Sequence, residues 1–298
     1  MAQIFTTEAG GVEVAKCESC DAKWKKGEKE SREYDNFEDL ADQSHPPNYL
    51  ALIYLDLDGM GRYFRKYIKS KKSCGEVSEA VDNAVRESVT YAIEEISDSQ
   101  SPLPASELLV GGDDAVVMLQ SHLAIPFMDR FEALFMQPNR WSGNPVPTFS
   151  AGVIYAHSHF PISEFVSLAK RACSEAKEMI GAHSLSFQLI TSALAGTASG
   201  PATANPYTTG EFQALASHVR AMKRGEVPRS KINQLHAVSQ LSRREGELAY
   251  GNLLARCGRP LRQALERAVG TSLWFQRKDG SWATRGAAVA ELWEFVRA

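Results

Sequence analysis

An α+β fold of the ferredoxin-like type is predicted by three features: a strand running into paired aspartates, a hairpin with an acidic tip, and amphipathic helices between such strands. Tyr49-Leu50-Ala51-Leu52-Ile53-Tyr54-Leu55 is a run of seven apolar residues that ends in Asp56-Leu57-Asp58. Period-2 geometry puts those two carboxylates on one face of a sheet. Leu108 to Val110 and Ala115 to Leu119 flank Gly111-Gly112-Asp113-Asp114, which predicts a buried hairpin with its turn at the acidic pair. The order β-α-β-β-α-β, with this hairpin as the central pair, predicts a split-βαβ antiparallel sheet with helices on one face.

Residues 1–48 are polar and irregular, and Pro46-Pro47 marks the first boundary. Within them Cys17-Glu18-Ser19-Cys20 has the spacing of a zinc knuckle with no second ligand pair, so it reads as two free thiols or as part of a zinc site completed elsewhere. After the first strand, Gly59-Met60-Gly61 turns into the basic, aromatic segment Arg62 to Lys69, predicted helical. A Lys/Ser/Cys/Gly loop precedes a long helix whose apolar face is Val77, Val81, Ala84, Val85, Ser88, Ala92 and Ile96. A helix over Ala124–Met136 and a strand over Val146–Tyr155 follow the hairpin. Pro161 or Ser163 starts another helix, and its stripe of Phe165, Leu168, Ala169, Ala172, Cys173 and Ala176 suits close packing on a sheet. Ser184–Thr191 gives a last strand. Residues 193–206 read as a linker, and 207–298 as a helical domain with a helix start at Thr208-Thr209-Gly210-Glu211 and further helices over Ser230–Gly246, Glu247–Cys257, Arg259–Val269 and Ala287–Arg297.

The 298 residues, 44% hydrophobic and 23% charged, suit a globular protein with a sizeable core, and the net charge of −3 gives no global drive toward nucleic acid or membrane. No apolar run approaches the roughly 20 residues of a membrane span. The start of the chain lacks the layout of a secretion signal. Five scattered cysteines fit a reduced, cytoplasmic setting.

Adjacent carboxylates at the end of apolar strands repel each other and lose hydration unless a cation compensates. Gly-Gly-Asp-Asp alone is also an ordinary turn sequence; the second acidic strand end is what favours a Mg²⁺ or Mn²⁺ site. Together with glycines that admit phosphate and a basic helix, the carboxylates make the parts of a two-metal nucleotidyl-transfer site. Asp113, Asp114 and Asp56 are the expected catalytic residues, and Asp56, Leu57, Asp113 and Asp114 the metal set. Asp58 is a ligand or a cap for the Gly59 turn.

The set Leu55 to Gly61, Val110 to Asp114, Phe149-Ser150-Ala151-Gly152-Val153 and Ala169 through Ala176-Lys177 resembles the palm domain of the large subunit of type III CRISPR effector complexes, itself similar to GGDEF diguanylate cyclases. The resemblance covers residues 49–192. Pro206-Tyr207-Thr208-Thr209 and the helical tail resemble the segment after the second palm of that subunit, and Cys17/Cys20 its zinc-bearing region with half the ligands missing.

The resemblance implies an ATP-using enzyme that makes a cyclic oligonucleotide or dinucleotide second messenger in antiviral defence, with Gly59, Gly61, Gly111, Gly112, Ser150 and Lys177 as nucleotide-binding positions. Lys177 would reach the triphosphate, or is a solvated lysine; Ser150 would touch nucleotide, or is a small sheet residue. His157 and His159 read as structural or exposed. The chain lacks the family's nuclease-type His-Asp pair near its start and is too short for two palms. A homodimer, or pairing with another palm-bearing chain, is then expected, as in the stand-alone minimal CRISPR polymerases. Ala115 stands where diguanylate cyclases carry Phe, and no guanine-reading residue follows Gly61, so adenine is favoured. Two other readings compete: a non-catalytic nucleotide-binding scaffold in a CRISPR-type ribonucleoprotein, and a template-directed polymerase, which the cations from Arg62 to Lys72 keep open.

Overall fold

A computed structural model describes residues 34–297 except 35, 99–101, 142–143, 180, 191–205 and 278–279. Cys17 and Cys20 lie outside the described residues, as does all of the expected linker except Pro206.

The described residues open with helix α1 (Phe37–Asp42), capped by the Asn36 side chain on the Asp39 amide at 2.8 Å. Strand β1 (Tyr49–Leu57) follows, then helices α2 (Met60–Tyr67) and α3 (Lys71–Ile96). The hairpin is β2 (Ala105–Gly111) and β3 (Asp114–Gln120), followed by α4 (Ala124–Phe135), β4 (Phe149–His157), α5 (Ile162–Ala176) and β5 (Ser184–Leu189). The short β6 (Tyr207–Thr208) leads into α6 (Thr209–Arg224), α7 (Arg229–Ser239), α8 (Arg243–Ala255) and α9 (Arg259–Ala268). The hairpin β7 (Trp274–Gln276) and β8 (Trp282–Thr284) precedes α10 (Gly286–Trp293).

Six strands form one sheet in the order β2-β3-β1-β4-β5-β6. The first four follow the split-βαβ succession, with β1 between β3 and β4 and antiparallel to both. The sheet is mixed rather than antiparallel, because β4 and β5 run parallel across the α5 crossover.

Helices also cover both faces, not one. Ala51, Ile53 and Leu55 of β1 pack into a core with α3, α4, α6 and α10, while Leu50, Leu52 and Tyr54 pack on the other side with Leu40 and Ala41 of α1 and with α5. A strand apolar at every position is what two covered faces require. The tail helices share the first of these cores, through residues such as Phe212, Val219, Leu235 and Leu292.

Local differences have local causes. The expected loop before α3 is helical, because Ser70 and Ser73 form a reciprocal capping box. The Gly-Gly-Asp-Asp hairpin is neither buried throughout nor turned at the acidic pair. Strand β2 is the sheet edge with Leu109 55% exposed, and the two-residue turn is Gly112-Asp113, with Gly112 at φ +65°. The tail is not all helical, since Trp274 and Trp282 lie in the β7–β8 hairpin, and the helix expected over Ser230–Gly246 breaks after Ser239. Among the described residues no helix is long and apolar enough to cross a membrane.

Candidate active site

Asp56 sits near the C-terminal end of β1, directly opposite Asp114 of β3 on one side and Ser150 of β4 on the other. Two carboxylates thus face each other across neighbouring strands. The third group is Lys177, the residue capping the C-terminal end of α5, whose Nζ donates to Asp56 Oδ2 at 2.5 Å. Its position is fixed by close packing of α5 on β4. A Cβ at Gly152 would lie 1.9 Å from the Ala169 carbonyl oxygen and 2.6 Å from the Cys173 amide, so only glycine lets the helix backbone approach this near.

The electrostatics follow from this crowding. Burial raises the Asp56 carboxyl above its ordinary range; the Lys177 hydrogen bond and charge pull the other way, and Asp114 adds to the rise. Burial acts to lower Lys177, but its bond to Asp56 and that residue's charge outweigh this and carry it up. Tyr54 donates its hydroxyl to Asp114 Oδ2 at 3.3 Å and is pushed up to about 12, first by burial and then by Asp114. The Cys173 thiol, donating to the Ser150 carbonyl at 3.3 Å, is likewise pushed up to about 12 by burial and by Asp56, so it stays protonated and serves no nucleophilic role.

Asp58 belongs to a different network. It accepts from Thr148 Oγ1 at 2.7 Å and from Ser150 Oγ at 2.8 Å, and its amide donates to the Thr148 carbonyl at 2.8 Å. It makes no cap bond to α2, whose N-cap is Gly59. Ser150 is fully buried, and its hydroxyl donates to Asp58 Oδ1. Ser184 extends the network to the Ala176 carbonyl at 2.8 Å, one residue before Lys177.

Among the described residues, no group of three or more His, Cys, Asp or Glu is arranged to hold a metal ion. Of the expected acidic set, the structure brings together Asp56 and Asp114 across neighbouring strands. Asp113 sits in the turn, where its carbonyl accepts from the Leu57 amide at 3.0 Å, and among the described residues its carboxylate makes no hydrogen bond or ion pair. Leu57 buries its side chain in the core, leaving only its main-chain carbonyl as a donor to metal. Two facing carboxylates still suit one hard cation, which takes one or two protein carboxylates and completes its shell with phosphate and water.

The glycines divide by use. Gly59, at φ +66°, makes the left-handed turn into α2; its carbonyl accepts from the Arg62 and Tyr63 amides at 2.8 and 3.1 Å, which leaves the Met60 and Gly61 amides without an intrahelical acceptor. Gly61 has open space where a Cβ would stand. The amide of Gly112 donates to Asp82 Oδ1 of α3 at 2.7 Å, so α3 clasps the hairpin tip. His157 and His159 are both exposed, and His159 lies 3.5 Å from Glu38.

Tyr54, Thr148, Ser184 and Asp82 were not singled out from sequence. Tyr54 carries a readable signal, standing two residues before Asp56 on the same strand face. Asp82 carries none, because it reaches the tip from a helix 30 residues away in sequence.

Residues 49–185 match the family described as Cas10/Cmr2, second palm domain. No curated protein matches. Among solved structures, Csm1 of T. onnurineus is similar over 74% of this chain and 34% of its own, with 15% identity and a TM-score of 0.56. A Csm1-Csm4 cassette in complex with one ATP is similar over 78% of this chain and 36% of that chain, with 14% identity and a TM-score of 0.54. A cassette in complex with cA4 gives 68%, 31%, 14% identity and a TM-score of 0.53. The chain thus spans about a third of the length of the structures it matches, and these likenesses show the fold. With the family match over the sheet and the acidic strand ends, residues 49–185 are a palm domain of the Cas10/Cmr2 type.

Proposed function

We propose that the Asp56–Asp114–Lys177 end of the sheet is a nucleotidyl-transfer site that takes ATP and joins nucleotides into a cyclic oligonucleotide or dinucleotide in a CRISPR-type antiviral system. The observation that carries this reading is the pair of carboxylates opposed across β1 and β3 with the Lys177 ammonium 2.5 Å from one of them. Solved structures of the same fold are described in complex with one ATP, with pppApA and with cA3, which supports ATP as the nucleotide and an adenylate chain as the product.

Each residue then has a task. Asp56 and Asp114, with Asp113 beside them, hold Mg²⁺ or Mn²⁺. The cation supplies neutralisation of phosphate charge and a more acidic ribose hydroxyl. Tyr54 fixes one Asp114 oxygen, so the carboxylate meets its load without reorganising. Lys177 leaves Asp56 for the triphosphate, which offers more negative charge than one carboxylate. Gly59 and Gly61 let phosphate approach the Met60 and Gly61 amides of α2, while Gly111 and Gly112 shape the hairpin tip that carries Asp113 and Asp114. The reaction exchanges the α–β phosphoanhydride for a phosphodiester and releases pyrophosphate. Because cyclisation needs two nucleotides placed head to tail, the second is brought by another copy of this chain or by another palm-bearing chain.

The test is incubation of the purified chain with Mg²⁺ or Mn²⁺ and each labelled nucleotide, followed by mass analysis. ATP yields pyrophosphate and a phosphodiester-linked product, and the Asp113→Ala/Asp114→Ala double variant yields neither while staying folded. Unaltered turnover in that variant rejects the reading. One observation favours a second reading: Lys177 already neutralises Asp56, as suits a scaffold that binds nucleotide without turnover. ATP binding with no product under any pairing of chains would select it.

A further inference from the structure

Helix α2 carries a feature that nucleotidyl transfer leaves unused. From Met60 to Cys74 the chain holds six cations, Arg62, Arg65, Lys66, Lys69, Lys71 and Lys72, and no acid, within a protein of net charge −3. At 100° per residue, Arg62, Arg65 and Lys66 fall within about 100° of one helix face. All three are exposed, and among the described residues none has an acidic partner. The Arg65 Nε–H donates to the Gly61 carbonyl at 3.1 Å, and the Arg62 guanidinium comes within 3.4 Å of where a Gly59 Cβ would stand. The cationic face therefore begins at the turn that follows Asp58.

Beside this face lie two aromatic rings. Tyr63 and Tyr67, one turn apart, have ring centroids 4.8 Å apart; Tyr63 is pinned by its hydroxyl to the Pro145 carbonyl at 3.0 Å, and Lys66 Nζ lies 5.2 Å over the Tyr67 ring. Met60 is buried and Phe64 packs against the core, so the helix is held by its opposite side. A pinned Tyr63 backing Tyr67, beside cations that have no acidic partner among the described residues, suits a chain that offers phosphates and unstacked bases together. A duplex, with its bases stacked inside, offers the rings nothing.

We infer that the outward face of α2 binds single-stranded nucleic acid, with its phosphates on Arg62, Arg65 and Lys66 and a base on Tyr67. The inference does not depend on turnover. Its chemistry is shared by a short oligoadenylate and by a longer RNA, and the test separates them. Fluorescence anisotropy is measured on the full chain with a labelled tetra-adenylate and a labelled 20-nucleotide mixed-sequence RNA, and with heparin and a blunt duplex as unlabelled competitors. At least one single-stranded probe binds, with log affinity falling against log salt at a slope of about −2, as three phosphate contacts give. Arg62→Gln/Arg65→Gln/Lys66→Gln flattens that slope and weakens binding roughly tenfold or more at low salt. Tyr67→Leu keeps the slope and weakens binding about fivefold or more. Tighter binding of the tetramer marks the product chain as the occupant, and tighter binding of the 20-mer marks a longer RNA. Binding unchanged in the triple variant, or a duplex that competes as well as single strand while Tyr67→Leu has no effect, overturns the inference. Binding is read at equilibrium without metal, so an inactive Asp113→Ala/Asp114→Ala variant that still binds the probe isolates a failure of the catalytic reading from a failure of this one.

Discussion

At the Leu50 end of β1 neutral polar groups satisfy one another, whereas at the Asp56 end of the same strand carboxylates crowd together around a single lysine. Beyond Leu50 and its partner Gln120, Ser44 and Ser121 share a hydrogen bond at 2.9 Å, the Ser121 amide donates to Ser44 Oγ at 2.6 Å, and the Ser121 hydroxyl donates to the His45 carbonyl at 3.1 Å. The His45 amide donates to His122 Nδ1 at 3.0 Å, which fixes a neutral ring with its proton on Nε2. Burial, with the charges of Arg297 and His45, lowers His122 to about 4. At the other end Asp56 and Asp114 confront each other and Lys177 pairs with Asp56 alone, which leaves a net negative charge when all three are ionised. One end spends its polar groups on holding the chain together. The other keeps charge in reserve for something the chain itself does not supply.

The comparison breaks most sharply under substitution of Asp114. Asp114→Asn lowers nucleotidyl transfer by about a hundredfold or more, while its melting temperature stays level or rises, because a repulsion has been removed. A variant that loses stability together with activity makes the acidic end structural. Gly152→Ala has the next largest effect. The new methyl collides with the Ala169 carbonyl, and denaturant unfolding shows a loss of about 3 kcal/mol. At the neutral end, Ser121→Ala costs about 1–2 kcal/mol in the same measurement, since buried partners lose their bonds, and leaves turnover where it was. The smallest change is in pH dependence. His122 binds a proton in the unfolded chain below about pH 6.5 but in the folded chain only near 4, so its contribution is complete above about 6.5 and is lost as the pH falls toward 4. In His122→Asn, which keeps an acceptor for the His45 amide, thermal unfolding loses that part of its pH dependence.

Much of this was legible in the chain. The apolar run ending at Asp56 located β1, the Gly-Gly-Asp-Asp segment located the hairpin, and the small-residue stripe from Phe165 to Ala176 is the buried face of α5. The sequence also held evidence against helices on one face only, because Tyr49 to Leu55 is apolar at both parities and so needs cover on both sides. Three things were hidden for physical reasons. Parallel pairing of β4 with β5 depends on where the α5 crossover returns, which no local pattern encodes. The short strands Trp274–Gln276 and Trp282–Thr284 give too few residues for a period to emerge. The division of labour between Asp56 and Asp58, identical in type and on one face by spacing, is decided by Ser150 of β4 and Thr148 just before it, which tie up Asp58 and leave Asp56 to Lys177.

The missing side chain at Gly152 works as a calliper. Since α5 rests on the bare main chain of β4, the gap between the ammonium at the helix end and the carboxylate on the adjacent strand is gauged by backbone thickness, not by a side-chain spacer that could be trimmed or lengthened. Changes among the surrounding apolar residues can then alter how firmly the two layers grip without resetting that gap, whereas one added methyl group at residue 152 resets it at once.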